Sequence, residues 1–187
     1  MDTIVLASAS PRRREILDLA GISYEVCVAA EETAPDGLSP AEYTKALAKS
    51  KSEAVFARHP DRVVLGADTV VVLENTVLGK PHSEEEAVEM LLSLGGRTHR
   101  VMTGVWVCSP CGCDGFTDIA EVEMYPITRE EAWEYVRTKE PMDKAGAYGI
   151  QGYGMRFIKG IHGDFYTVMG LPGAAVRRFL PQFGIKL

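Results

Sequence analysis

Apolar and polar positions alternate along this chain in a way that predicts short buried strands and amphipathic helices in turn. Ile4 to Ala7 is a short apolar run, the mark of a buried strand. Ser10-Pro11 then places an N-capping residue before a proline at the first helical position. The pattern predicts a helix from about Pro11 to Ala20, with Ile16, Leu17 and Ala20 on one face and Gly21 as its stop. Tyr24 to Val28 reads as a second strand. A long helix is predicted from about Pro40 to Ala57. Its apolar line passes through Tyr43, Leu47 and Val55, and the position that should complete it is Lys51. Val63–Leu65 and Val70–Leu73 are β-branched and apolar, a central strand interrupted by Gly66-Ala67-Asp68-Thr69.

The second half continues the alternation. Glu74-Asn75-Thr76 turns the chain, and Val77 to Pro81 brings Lys80 back beside the strand end. Ser83-Glu84-Glu85-Glu86 reads as a capping box opening a helix to about Leu94, closed by Gly95-Gly96. Thr98–Val107 and Phe116–Tyr125 predict an antiparallel pair joined by a cysteine-bearing turn. Thr128-Arg129-Glu130-Glu131 opens a helix with Ala132, Tyr135 and Val136 on its inner face. Asp143 to Gly154 carries four glycines within nine residues, a sign of tight turns or close backbone approach. Phe157–Ile161 is a short strand, and Gly170-Leu171-Pro172-Gly173 precedes a last helix to about Phe183. Neither an internal repeat nor a separating linker is visible, so one domain over residues 1–187 is expected.

Composition narrows the class. At 187 residues, 46% hydrophobic and 25% charged, the chain suits an ordinary α/β core. No apolar run approaches a membrane span and no secretory h-region is present, so a cytoplasmic protein without membrane association is expected. A net charge of −6 argues against a general nucleic-acid binder. Against that acidic background Arg12, Arg13 and Arg14 follow a strand end and two hydroxyls, at a helix start whose dipole favours acids in its first turn. That combination predicts an anion site, specifically for a phosphate compound. Three of the four cysteines, Cys108, Cys111 and Cys113, share one turn. With no second pair and no histidine nearby, a plain hairpin tip is a better reading than a structural zinc site.

The charged residues that break local rules are Arg12, Arg13, Glu32, Lys51, Asp68, Lys80 and Lys144. An unpaired ammonium on the inner stripe of a helix is costly, which leaves Lys51 either snorkelling at the core edge or functional. A carboxylate inside a β-branched run needs a cation, a metal or a reacting proton as its partner, which points to Asp68. Several cations with a pair of carboxylates suit phosphoryl or nucleotidyl chemistry. Walker A, Gly-x-Gly-x-x-Gly and Gly-x-Ser-x-Gly patterns are absent in the required places, which removes P-loop, Rossmann and serine hydrolase readings.

Five blocks, in order along the whole chain, resemble the Maf family of nucleotide pyrophosphatases, historically linked to inhibition of septum formation. They are Leu6–Arg13, Gly66–Thr69, Gly79–Pro81, Asp143–Gly152 and Val168–Pro172. The resemblance implies an α/β fold with a long mixed twisted sheet flanked by helices and a deep cleft between two lobes, similar to the inosine triphosphate pyrophosphatases and commonly dimeric. It implies hydrolysis of a nucleoside triphosphate between the α and β phosphates with a divalent cation, Mg2+ or Mn2+. Asp68 matches the family's proton acceptor, and Arg12, Thr69 and Gln151 its specificity positions. Ser8, Ser10, Arg13, Lys51 and Lys80 fall on phosphate-binding cleft positions, and Glu32 joins Asp68 as the expected metal ligand. The Arg12, Thr69 and Gln151 combination resembles the branch acting on dTTP and UTP, since an amide both donates to and accepts from a uracil or thymine edge.

Two departures are visible. Gly163 to Thr167 differs from the stretch usual in relatives, and the cysteine turn has no counterpart; Arg14 is expected to face solvent. The alternatives are a nucleotide-sensing regulator with a cell-division partner, a pyrophosphatase for 7-methyl-GTP, and a scaffold. Sensing needs no proton acceptor, Thr69 and Gln151 disfavour the methylated base, and a scaffold leaves Asp68 unexplained.

Overall fold

The computed structural model describes residues 2–29 and 33–187. The described residues form seven strands and six α-helices, with β1 at Thr3–Leu6, α1 at Pro11–Leu19, β2 at Ser23–Val26 and α2 at Pro40–Phe56. They continue as β3 at Val64–Leu73, β4 at Thr76–Leu78, α3 at Glu84–Leu94, β5 at Thr98–Ser109 and β6 at Gly112–Met124. Then follow α4 at Arg129–Arg137, β7 at Ile158–His162, α5 at Phe165–Met169 and α6 at Gly173–Phe179. The sheet runs in the order β2-β1-β3-β5-β6-β7, with β4 paired to β3. β1 is parallel to both β2 and β3, whereas β3–β4 and β6–β7 are antiparallel, so the sheet is mixed as expected.

The chain forms two compact units, both discontinuous in sequence. One comprises Met1–Asp68, Thr103–Asp118 and Gly170–Leu187; the other comprises Thr69–Met102 and Ile119–Met169. In the first unit Val5, Ala7, Val55 and Val64 form a buried cluster joining β1 and β3 to α2. α2 starts at a full capping box between Ser39 and Glu42, preceded in the chain by no sequence expectation of one. In the second unit α3 and α4 bury Val88, Leu91, Ala132, Tyr135 and Val136 against Val71, Val101 and Val122.

Three local expectations change. β3 is continuous from Val64 to Leu73, because Gly66, Ala67, Asp68 and Thr69 keep extended geometry and pair as strand rather than interrupting it. Ser83 accepts the Glu86 N–H, but the Glu86 carboxylate turns to the His82 N–H, so the expected box at α3 is only half formed. The last helix ends at Phe179, where Leu180-Pro181 tightens it into a 3-10 turn, and the five-residue α5 had no sequence expectation. The cysteine turn is the tip of a hairpin, Pro110-Cys111, and all four cysteines are free thiols.

Candidate active site

The loop between β1 and α1 is held from within. Ser10 occupies the N-cap position in extended geometry, yet its side chain makes no capping bond among the described residues, against the sequence expectation. Its N–H donates instead to Ser8 Oγ at 3.2 Å. Arg13 Nη1 donates to that same oxygen at 2.9 Å, and Arg13 Nε donates to the Gly170 carbonyl at 2.9 Å. With both acceptor positions of the Ser8 hydroxyl taken, its proton is left for donation. Ser8 is 6% exposed, so that donor is buried. The helix start adds backbone N–H groups with no partner inside the helix, and no acid lies in the first turn. Arg12 is half-buried beside it, and Arg14 is exposed, as expected. This loop thus gathers hydroxyl donors, helix-start N–H groups and arginine cations.

The acid lies in the same unit. Lys51, on α2, places Nζ 2.7 Å from Asp68 Oδ1 on β3 and 3.5 Å from the Ala67 carbonyl. The two side chains are 11% and 14% exposed. The lysine on the apolar line is therefore an ion-pair partner and does not snorkel. Close helix–strand approach sets this distance: a Cβ on Gly66 would sit 2.9 Å from the Ser52 nitrogen and closer still to the Ala48 carbonyl oxygen. Gly104 on β5 gives α2 a second such approach at Thr44. One helical turn past Ala48, Lys51 meets the strand one pleat past Gly66.

In the second unit Thr69 follows Asp68 on β3 and is half-buried, Lys80 is exposed after β4, and Gln151 is exposed in a run of 3-10 turns. The Gly146 N–H donates to the Gly79 carbonyl at 3.0 Å, tying Lys80's neighbour to the glycine-rich segment. The close approaches predicted for these glycines are to this chain's own groups: Val71 at Gly146 and Glu140 at Gly152. Glu140 was not expected. Its carboxylate accepts from Tyr153 N–H at 2.9 Å, Gly154 N–H at 3.1 Å and Tyr135 Oη at 2.8 Å. Burial acts to raise the Glu140 pKa, but the Tyr153 N–H, the Tyr135 hydroxyl, the Gly154 N–H and Lys144 outweigh it and hold it below the usual carboxylate value. Gly170 and Tyr135 were missed as well. Gly170 stood inside a motif block, while Tyr135 matched an ordinary core position.

Glu32 lies outside the described residues, so its expected place as a metal ligand has no geometry here. Among the described residues no group of three or more His, Cys, Asp or Glu side chains could hold a metal ion. Mg2+ commonly takes only one or two carboxylates and fills its sphere with phosphate oxygens and water. Asp68 is a carboxylate of the type such an ion takes, and its Oδ1 is paired with Lys51 Nζ. Among the described residues no helix is long and apolar enough to cross a membrane.

A loop rich in donors and arginines at a helix start, with a lysine-paired acid on a mixed sheet, suits a phosphate-handling α/β protein. The chain belongs to the Maf family: the model for "Maf-like protein" matches residues 3–183. A protein of Bacillus velezensis named dTTP/UTP pyrophosphatase is 48% identical over 184 residues, covering 98% of this chain and 97% of its own length. One of Bacillus cereus with the same name is 48% identical over 188 aligned positions, covering 100% and 98%. Among solved structures, a dITP/XTP pyrophosphatase of Mycobacterium abscessus aligns with TM-score 0.51 at 13% identity, covering 96% of this chain and 99% of its own. The Ham1 protein of Staphylococcus aureus aligns with TM-score 0.50 at 19% identity, covering 84% and 80%. These two likenesses support the expected fold class.

Proposed function

We propose that this chain is a nucleoside triphosphate pyrophosphatase that hydrolyses dTTP and UTP to the monophosphate and pyrophosphate. The observation that carries the reading is Asp68, a carboxylate fixed by Lys51 on an apolar strand that packing does not require. It stands in a chain 48% identical, over nearly its full length, to proteins named for that activity.

On this reading Asp68 takes the proton from a water attacking the α-phosphorus, and pyrophosphate leaves as the α–β bond breaks. Lys51 holds the acid in register and balances its charge. Ser8, through its committed O–H donor, binds phosphate oxygens together with Ser10, Arg12, Arg13, Lys80 and the α1 N–H groups. Thr69 and Gln151, with Arg12, read the base; a glutamine amide matches the acceptor–donor edge of uracil and thymine. A divalent cation, Mg2+ or Mn2+, held by Asp68 and the phosphates, would supply charge neutralisation and a more acidic water. The cytoplasm is the compartment that suits four free thiols and a nucleotide substrate.

Product identity tests the proposal. The purified protein is incubated with normal and modified nucleoside triphosphates and Mg2+ or Mn2+. UMP and dTMP with pyrophosphate are expected. Diphosphate with orthophosphate, a preference for 7-methyl-GTP, or no turnover would overturn it.

A further inference from the structure

The backbone on both sides of Gln151 is tied to one pair of side chains. The Gly149 N–H, two residues before it, donates to Tyr135 Oη at 3.1 Å. The Tyr153 and Gly154 N–H groups, two and three residues after it, donate to Glu140 Oε2 and Oε1. Tyr135 Oη donates in turn to Glu140 Oε1 at 2.8 Å, which closes the two ties into one network. The phenol is anchored: Tyr135 is fully buried on α4, edge-on to Phe157 at 5.4 Å between ring centroids. The Glu140 main chain is anchored as well, since Lys144 Nζ donates to its backbone carbonyl just beyond α4.

Local conformation fits the same clamp. Gly152 has φ +76°, and a Cβ there would come within 2.5 Å of Glu140 Oε2, so the turn closes onto the carboxylate only with glycine. Charge on Glu140 strengthens its bonds to the two N–H groups. Gln151 itself is exposed. A flexible amide on a surface turn discriminates poorly, because ordering its backbone would be charged against binding. Here that ordering precedes binding.

We infer that Tyr135 and Glu140 are positioning residues for specificity, fixing the backbone that aims Gln151 at the base. This rests on the proposed assignment of Gln151 to base reading. It extends that assignment to two side chains that tie the backbone on either side of Gln151 through the Gly149, Tyr153 and Gly154 N–H groups. Removing the Tyr135 hydroxyl would leave the Gly149 N–H buried without its acceptor and Glu140 without a donor. Replacing Glu140 by glutamine turns one acceptor oxygen into a donor facing an N–H or hydroxyl.

Tyr135→Phe, Glu140→Gln and Gln151→Ala are compared by kcat and KM for UTP, dTTP and CTP. Amide hydrogen exchange over residues 148–157 is followed in parallel. In Tyr135→Phe and Glu140→Gln the KM for UTP and dTTP should rise about tenfold with kcat within about twofold. The preference for UTP over CTP should fall toward that of Gln151→Ala. Exchange should accelerate in residues 148–157 while α2 and β3 keep their protection. Adding Glu140→Gln to Gln151→Ala should cost no further discrimination, because the two act through one element. If Gln151→Ala loses discrimination while both clamp variants keep it, the inference is wrong and the proposed function stands. If Gln151→Ala keeps discrimination, or the wild type does not turn over UTP, the base-reading assignment fails and the inference falls with it. Tyr135→Phe keeps the core volume, so it remains informative should Glu140→Gln fold poorly.

Discussion

Lys51 Nζ lies 2.7 Å from Asp68 Oδ1, both side chains nearly out of water, and this pair joins the fold to the chemistry. Removing one partner strands the other charge. Lys51→Met should destabilise the protein by about 3 kcal/mol, read from urea unfolding midpoints. Lys51→Met combined with Asp68→Leu should regain most of that stability, since apolar replacement of a buried pair is nearly neutral. Neither should restore turnover. Asp68→Asn, which keeps the shape, should lower turnover at least ~100-fold with saturating Mg2+. Near-normal activity in Asp68→Asn would remove the acid from the mechanism.

Gly66 makes the same pair depend on one absent methyl group. An added Cβ would press on the Ala48 carbonyl and the Ser52 backbone nitrogen, neither of which can swing aside as a side chain would. Gly66→Ala should therefore push α2 from β3, costing about 2–3 kcal/mol and carrying Lys51 away from Asp68. Thermal unfolding and pyrophosphate release should fall together. If Gly66→Ala lost stability but kept turnover, the Lys51–Asp68 distance would not matter to catalysis.

The Ser8 hydroxyl serves two ties and one ligand. Ser8→Ala removes the acceptor for Arg13 and for the Ser10 N–H, together with the donor left for phosphate. The KM for UTP should rise about tenfold or more, since a hydrogen bond to a charged group contributes ~1.5–3 kcal/mol. Arg13→Lys should act similarly, because an ammonium cannot bond Ser8 and Gly170 through the fixed fork of a guanidinium. Isothermal titration with a non-hydrolysable UTP analogue separates this binding loss from effects on the chemical step. Unchanged affinity in both variants would make the loop a purely structural tie.

Sequence exposed Asp68 and Lys51 for one reason: each violates a periodic pattern, an acid inside a β-branched run and a lysine on a helical stripe. That they violate it jointly was not legible, because the pairing is set by how far α2 settles onto Gly66 and Gly104. Arg13 was legible as a cation but not as a tie, since Gly170 lies 157 residues away in the chain. Tyr135 was hidden by obeying its pattern. Its ring fills a core position that any large apolar residue could fill, and only its hydroxyl, reaching Glu140 and Gly149, sets it apart. The glycines of Asp143–Gly154 announced close contacts, while the identity of the contacted groups depended on tertiary packing. Local propensity at Gly66–Thr69 predicts an interruption, whereas pairing within the sheet keeps β3 extended through Asp68.

His99 supplies a pH dependence in the second unit. It is 2% exposed on β5, with Nε2 2.6 Å from Tyr148 Oη, and Nδ1 has no hydrogen-bond partner among the described residues. Burial lowers its pKa from 6.5 to about 4. The unfolded chain thus takes up a proton below about pH 6.5 while the folded protein resists until about pH 4, so acid favours unfolding across that window. The stability His99 contributes is fully present above pH 6.5 and is lost as pH falls toward 4; by pH 5 the loss is about 2 kcal/mol. His99→Phe removes this term and adds a pH-independent cost from the Tyr148 hydroxyl left without its imidazole. Urea unfolding of both proteins at pH 7.5 and pH 5 should show the wild-type advantage shrinking or reversing by about 2 kcal/mol at the lower pH. A constant difference between the two proteins would mean that His99 titrates alike in the folded and unfolded chains.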